Sequence, residues 1–309
     1  MSNKITLIGN VNIDLIMGPS HAWPQQGTEI VLPHSEWRVG GATGNSALAL
    51  QALDAEFRIV ANHGRDHFGE WLAEPFGKKS KQWAVSKNST GLSVGITHPD
   101  GERTFFTTLG HLNDFNLDDV KKQLPQNAEP GEIALLSGAF VTPRLLEDYD
   151  ELFLILKQSG FAIALDTGWP SANWTDVIRQ SVLRWCASCD HLLLNELETR
   201  SLIGFMDDPI EVVALAMMDV LAEHGTIVMK RGSHGALACK NCKVIRQAAP
   251  EAKVVDTIGA GDVFNAGYLW ALSQGKDLPT ALKIAVATAS TAIATQPRRY
   301  SDLPIAKAS

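Results

Sequence analysis

Asp256–Asp262 reads "DTIGAGD", and the apolar run "VFNAGYLWAL" follows it over 263–272. Two carboxylates bracket a loop with two glycines, and the loop runs into a helical pattern. Gly259 and Gly261 permit φ > 0 and leave no Cβ in the way. A helix that begins near Ala260–Asp262 leaves its first N–H groups without intrahelical partners. Together with the helix dipole they make an anion-binding site, of the kind that stabilises charge on a transferring phosphoryl group. Asp262 would stand beside it, where a carboxylate can take the proton of an attacking hydroxyl. The residue alone leaves a second reading open, that of an N-cap, which Asp also does well.

The surrounding chain has 309 residues, 45% hydrophobic and 20% charged. That is ordinary globular composition, with enough material for one large domain, or one domain and a modest appendage. The formal net charge is −7 and the sequence pI about 5.7. Phosphate-backbone binding needs a basic stripe, and no long basic run exists, so nucleic acid is not an expected partner. No stretch reaches the ~18 apolar residues of a membrane span. The start, "MSNKITLIGNVNIDLIM", reads as a first strand and not a signal peptide. A cytoplasmic location is expected.

Strands and helices alternate through most of the length. "EIALLSGAF", "FAIALDTG", "HLLLN" and "GTIVMKRG" are apolar runs of strand length, each followed or preceded by helical spacing. That rhythm predicts a mainly parallel sheet with helices on both faces. Ligand sites in such folds form at the C-terminal strand ends. Two stretches break the rhythm. Residues 15–39 hold extended patterns without a helix, and residues 89–108 read as a hairpin turning at Pro99-Asp100-Gly101. The two could pair as a small sheet over one end of the main domain.

Four cysteines form two C-x-x-C pairs, Cys186/Cys189 and Cys239/Cys242, with Lys240-Asn241 expected as a hairpin turn in the second. The pairs are 49 residues apart, against roughly 15–20 in compact zinc ribbons. Reduced bystander thiols are the expectation, zinc the rival. "GLSVG" (91–95) fits the G-x-S-x-G pattern, but a hairpin follows Ser93 where the nucleophile elbow needs a helix. No G-x-x-x-x-G-K-[ST] P-loop occurs, no G-x-G-x-x-G follows the first strand, and no H-E-x-x-H is found.

"VVDTIGAGDVFNAGYL" (254–269) closely resembles the C-terminal signature of the ribokinase-like (PfkB) carbohydrate kinases. Five further matches follow the family order, so the resemblance runs from about residue 5 to residue 295. They are "GNVNIDL" (9–15), "VGGATGNSALAL" (39–50), "GRDHFGEWL" (64–72), "NELE" (195–198) and "KRGSHGAL" (230–237). The resemblance implies a three-layer α/β/α main domain with a β-sheet lid. The main domain would comprise 1–14, 40–88 and 109–309, and the lid 15–39 and 89–108. It implies ATP-dependent phosphorylation of a small carbohydrate, with Asp262 as general base and the amides of Gly259, Ala260 and Gly261 as anion hole. Nucleoside kinase, sugar-phosphate kinase and non-catalytic sugar binder are the alternatives.

The same resemblance assigns the remaining positions. Asn12, Asp14, Gly40, Gly41 and Asn45 would line the sugar pocket; Asn45 could instead cap a helix. Lys230, Gly232, Gly235 and Asn265 would lie near the nucleotide. Asn195 and Glu198 would help hold Mg2+, usually through water. Asp256 and the carbonyl of Ile258 would help bind a monovalent cation such as K+. Here the chain departs from the family. Members commonly carry a glycine in the loop after the last helix, and "TQPRRYSDLP" has none. K+ dependence is therefore in doubt, and Arg298 and Arg299 are candidates for an anionic contact. The helix "PTALKIAVATASTAIATQ" has the small residues against which a flat adenine could lie. His34, Trp37, His111 and Asn113 are selectivity candidates whose directions the sequence leaves open, and Arg103 on the lid hairpin is the candidate basic residue for a phosphorylated sugar. Apolar residues in 30–37 and 104–106 suit a homodimer through the lid.

Overall fold

The computed structural model describes residues 5–99, 102–295 and 298. Its strands, in chain order, are β1 (Ile5–Gly9), β2 (Asn12–Gly18), β3 (His34–Gly40), β4 (Phe57–Val60), β5 (Asn62–Gly64), β6 (Ala84–Ser86) and β7 (Leu92–Thr97). They continue with β8 (Arg103–Thr108), β9 (Ile133–Ser137), β10 (Ala162–Asp166), β11 (His191–Asn195), β12 (Thr226–Lys230), β13 (Ala236–Lys240) and β14 (Lys243–Gln247). Among the described residues an eight-stranded sheet has the order β14-β13-β12-β11-β10-β9-β1-β4. It is parallel from β4 to β12 and turns antiparallel through β13 and β14.

The strands are apolar without alternation because both faces are covered. Leu135 and Leu193 pack on one side, with the helices Ala42–Ala52, Ala260–Ser273 and Leu278–Ala292. Their neighbours Leu136, Leu192 and Leu194 pack on the other, with Tyr149–Gln158, Asp176–Cys186 and Ile210–Met218. Each such leucine is buried completely and contributes roughly 2 kcal/mol of transfer free energy.

A second sheet, β3-β2-β7-β8, is the lid. β2 pairs antiparallel with β3 and parallel with β7, and β7 pairs antiparallel with β8. The two β insertions thus pair with each other. The run "ITLIGNVNIDLI" is divided between the sheets, with β1 in the large one and β2 in the lid. The hydrophobic pattern hides the break because Ile13 and Ile16 are buried as well. Asn10 marks it: its Oδ1 accepts from Ala42 N at 3.2 Å and its Nδ2 donates to Asn12 Oδ1 at 2.9 Å. Asp100 and Gly101, the expected hairpin tip, lie outside the described residues, as does Arg299.

The lid is pinned where it leaves the main domain. Buried His111 accepts from Gly91 N at its Nδ1 (2.8 Å) and donates from its Nε2 to Val11 O (3.0 Å). Asp66, the N-cap of the helix His67–Ala73, also accepts from Thr90 N and Oγ1.

Cys186, Cys189 and Cys239 belong to the second core cluster, and Cys242 is exposed. Burial pushes the Cys186 thiol up to about 12. The β13–β14 turn is Asn241-Cys242 and not Lys240-Asn241: Lys240 pairs with Lys243, and Asn241 and Cys242 have φ of 49° and 57°. No helix of the described residues is long and apolar enough to cross a membrane.

Candidate active site

Gly259 sits at φ 70° and ends the loop, and the helix Ala260–Ser273 starts at the next residue. A Cβ on Gly259 would lie 2.7 Å from Asn45 Nδ2, so a side chain is excluded by contact as well as by backbone angle. Asp262 lies in the first turn and does not cap the helix. Its Oδ2 accepts from Asn45 Nδ2 at 2.9 Å, and its carbonyl accepts from Ser46 Oγ at 3.0 Å. Asn45 in turn lies inside the helix Ala42–Ala52, so it is not a cap either. Burial, then the negative field of Asp166, raises the Asp262 carboxyl to about 7.

The amides of this turn differ from the expected set. Ala260 N donates to Thr257 O at 3.1 Å, because the left-handed turn at Gly259 folds that N–H back. Among the described residues the amides of Gly259, Gly261 and Asp262 have no backbone acceptor. These three are free for an anion.

On the lid side Asp14 is buried, and its Oδ1 accepts from Asn12 Nδ2 at 3.0 Å. A Cβ on Gly40 would fall 2.1 Å from the Asp14 carboxyl carbon, so glycine is what lets β3 pass there. Gly41 opens the helix that carries Asn45. Burial raises Asp14 to about 6, against the opposing field of Arg38. Strand register places Arg38 opposite Asp14, Asp14 opposite Ser93, and Ser93 opposite Thr107. Side chains opposite one another share a face, so one polar row crosses the lid. Ser93 and Thr107 hydroxyls are 2.9 Å apart, and Asn12 Nδ2 reaches Ser93 Oγ at 3.4 Å.

On the other side of the turn a groove of about 890 Å³ is lined by Lys230, Gly232, Gly235, Ala260 and Gly261, with Ser290 from the small-residue helix. Phe264, Val286 and Ala289 give it an apolar wall. Asn265 does not line it. That side chain is fully buried and donates to Asp166 Oδ2 at 2.5 Å. Lys230 Nζ donates to the same Asp166 Oδ2 at 2.6 Å and to Asn265 Oδ1 at 3.3 Å.

Asn195 and Glu198 cap their helix reciprocally, each side chain accepting from the other's amide at 2.8 Å. Glu198 is buried, and burial, then Asp166, raises it to about 7. Asp166 thus repels both Glu198 and Asp262, and the Lys230 ammonium feels all three carboxyl groups. Among the described residues no three His, Cys, Asp or Glu side chains stand close enough to ligate one metal directly.

Of the positions implied for a monovalent cation, the Asp256 carboxylate already has protein partners on both oxygens. Asp256 Oδ2 accepts from Arg38 Nη1 at 2.5 Å and lies 3.7 Å from Arg298 Nη2. The other oxygen accepts from Ile258 N at 2.9 Å. Against burial, which raises it, Arg38 and then Arg298 hold this carboxyl below the usual range. Of the selectivity candidates, His34 lines a second cavity of about 520 Å³ that reaches Asp256, and Arg103 lines it too. Trp37 points to the opposite lid face and stacks on Phe68, their centroids 5.4 Å apart. His111 belongs to the hinge. Asn113 donates to the nearby Gly110 O at 3.2 Å.

Asp166 and Arg38 are the residues that sequence reasoning passed over. Asp166 closes a central parallel strand, and the rule that sites gather at such ends could have found it. Arg38 carries no such local signal.

A family model described as pfkB family carbohydrate kinase matches residues 2–305. Ribokinase from Arabidopsis thaliana is 26% identical, covering 98% of this chain and 81% of the relative. Adenosine kinase from Schizosaccharomyces pombe is also 26% identical, over 82% of this chain and 78% of the relative. The structure of Arabidopsis thaliana ribokinase complexed with ribose and ATP superposes with a TM-score of 0.76 at 24% identity, covering both chains fully. Burkholderia thailandensis nucleoside kinase with inosine gives 0.74 at 19% identity, over 97% of this chain and 93% of that one. With the fold shared and the family model spanning nearly its whole length, the chain belongs to the pfkB family of carbohydrate kinases.

Proposed function

We propose that this protein is an ATP-dependent sugar kinase that transfers the γ-phosphate of ATP to a hydroxyl of a small carbohydrate. The observation that carries the reading is the position of the 259–262 turn. Gly261 lines the groove, while Asp262 is bonded to Asn45 on the lid side. Free amides therefore stand between a groove of about 890 Å³ and the helix that carries Asn45, whose start at Gly41 lies against Asn12.

The chemistry follows from those neighbours. Asp14, Asn12, Ser93 and Thr107 offer the carboxylate, amide and hydroxyl groups that a polyol pairs with. Asp262, with a carboxyl near 7, takes the proton of the attacking hydroxyl; a base poised near working pH is efficient. The amides of Gly259, Gly261 and Asp262 stabilise the transferring group. Lys230 lines the groove, where its ammonium would meet the phosphates.

Three carboxyl groups around one ammonium, two of them repelled by Asp166, fit a divalent cation, and Mg2+ keeps several waters when it binds. Asp166 and Glu198, with Asn195, would hold it through water, and it would neutralise charge on the phosphates. The lid closes over the polar row and excludes water. Its outer face exposes Trp37 and Phe106, which suits a homodimer formed through the lid.

The test is ADP release with Mg-ATP over hexoses, pentoses, ketoses, sugar acids, nucleosides and phosphosugars. Turnover on a free sugar supports the reading. Turnover confined to nucleosides overturns the sugar assignment, and ATP binding without any turnover overturns the kinase assignment.

A further inference from the structure

The Asp256 carboxylate is enclosed by protein cations on the side where the family resemblance implies a monovalent ion. Arg38 comes from the lid strand β3, and Arg298 from beyond the last helix. Arg298 Nη2 also donates to Asp256 O at 3.1 Å, so one guanidinium holds both the carboxylate side and the main chain of the residue. The same group rests on the anion turn: a Cβ on Gly259 would lie 2.9 Å from Arg298 Nη1. Its side chain is only 3% exposed. The carbonyl at the end of the last helix is committed too, since Ile293 O accepts from both Val255 N (2.8 Å) and Asp256 N (3.1 Å). A cation arriving here would find two guanidinium groups on the Asp256 carboxylate and two amides on the Ile293 carbonyl.

We propose that the guanidinium groups of Arg38 and Arg298 replace a monovalent cation at the 256–259 loop, so that the anion turn is held ready without K+. A bound ion and a guanidinium both place positive charge against Asp256 and the turn. The guanidinium differs in being covalently attached, always charged and directional. It also ties the turn to the lid, because Arg38 lies on the same lid face as Asp14, directly across the β2–β3 register. Lid closure and assembly of the anion hole then share one ion pair. The inference rests on the kinase reading of the site, so its test has an arm that needs no catalysis.

In that arm the melting temperature of the ligand-free protein is measured in potassium, sodium and tetramethylammonium chloride. Total salt is kept at about 0.1 M so that screening is matched, with a Debye length near 10 Å. The expected result is one melting temperature in all three salts. A rise specific to K+ overturns the proposal. In the second arm, with the substrate found above, kcat is expected to change less than about twofold between K+ and tetramethylammonium, and activation of about tenfold or more would overturn it.

Arg298→Ala removes the buried guanidinium and is expected to lower kcat by about tenfold or more, partly restored by added guanidinium or K+. Arg298→Lys keeps the charge and serves if the alanine variant does not fold. It is expected to retain more activity than alanine and to remain unresponsive to K+. Full activity in Arg298→Ala would show that the group does not do the work of a cation.

Discussion

At Asp262 two requirements meet in one carboxyl. As the proposed base it would have to hold still, which the Asn45 hydrogen bond secures, and accept a proton near neutral pH. Burial and the field of Asp166 raise it to about 7 for the second purpose. The sign follows from the role. A base works ionised, and the raised carboxyl is protonated below about 7, so activity rises with pH through that value and levels above it. In the free enzyme, kcat/KM measured from pH 5 to 9 should fall by about tenfold per unit below the break. A break near the ordinary carboxylate range would remove the environment assigned to Asp262. The glycines, Asp262 and Asn45 belong to short motifs, and their local chemistry was legible in sequence. Asp166 and Arg38 were not, for a physical reason. Their importance comes from which strand ends or register positions lie side by side, and no property of the residue itself reports that.

Among the elements, the hairpin β13–β14 shows how far pattern reading reaches. A two-residue hairpin turn is legible there, but the turn falls one residue later than Lys240-Asn241. Lys240 continues the ladder, and both left-handed positions fall on Asn241 and Cys242. Tight hairpins of this kind favour Asn followed by Gly. Cys242 bears a side chain at φ 57° and is exposed. Cys242→Gly is therefore expected to raise stability by about 0.5–1 kcal/mol, read as an upward shift in thermal or denaturant midpoint. A lower midpoint would mean that the thiol has a contact or a ligand of its own. The first strand carries the same lesson. Its apolar residues continue past the passage from main sheet to lid because both sheets bury their residues there. The break is written in polar contacts, Asn10 to Ala42 and to Asn12, which periodicity does not reveal.

At the scale of the whole molecule, buried His111 is one of the points that tie the lid to the main domain. It bonds Val11 and Gly91, the residues beside the two strands that leave for the lid. Burial lowers its pKa from 6.5 to about 4. The folded state therefore binds fewer protons than the unfolded one between those values. Its contribution is complete above about 6.5 and declines as pH falls toward 4. Between pH 7 and 5 that loss is about 2 kcal/mol, from the linkage relation. His111→Gln, which keeps one donor and one acceptor but cannot titrate, should start less stable at pH 7. The gap to wild type should narrow by about that amount at pH 5. Parallel stability curves for the two proteins would contradict a neutral His111 at the hinge.

The most direct test of phosphoryl transfer with Asp262 as base is kcat of Asp262→Asn on the substrate identified for the wild type. Circular dichroism and a melting curve on the same preparation report its fold. The substitution keeps the shape and removes a carboxylate that Asp166 repels. The protein should melt no lower than wild type while kcat falls by about 10²–10⁴. A folded Asp262→Asn protein that turns over at the wild-type rate would contradict the account.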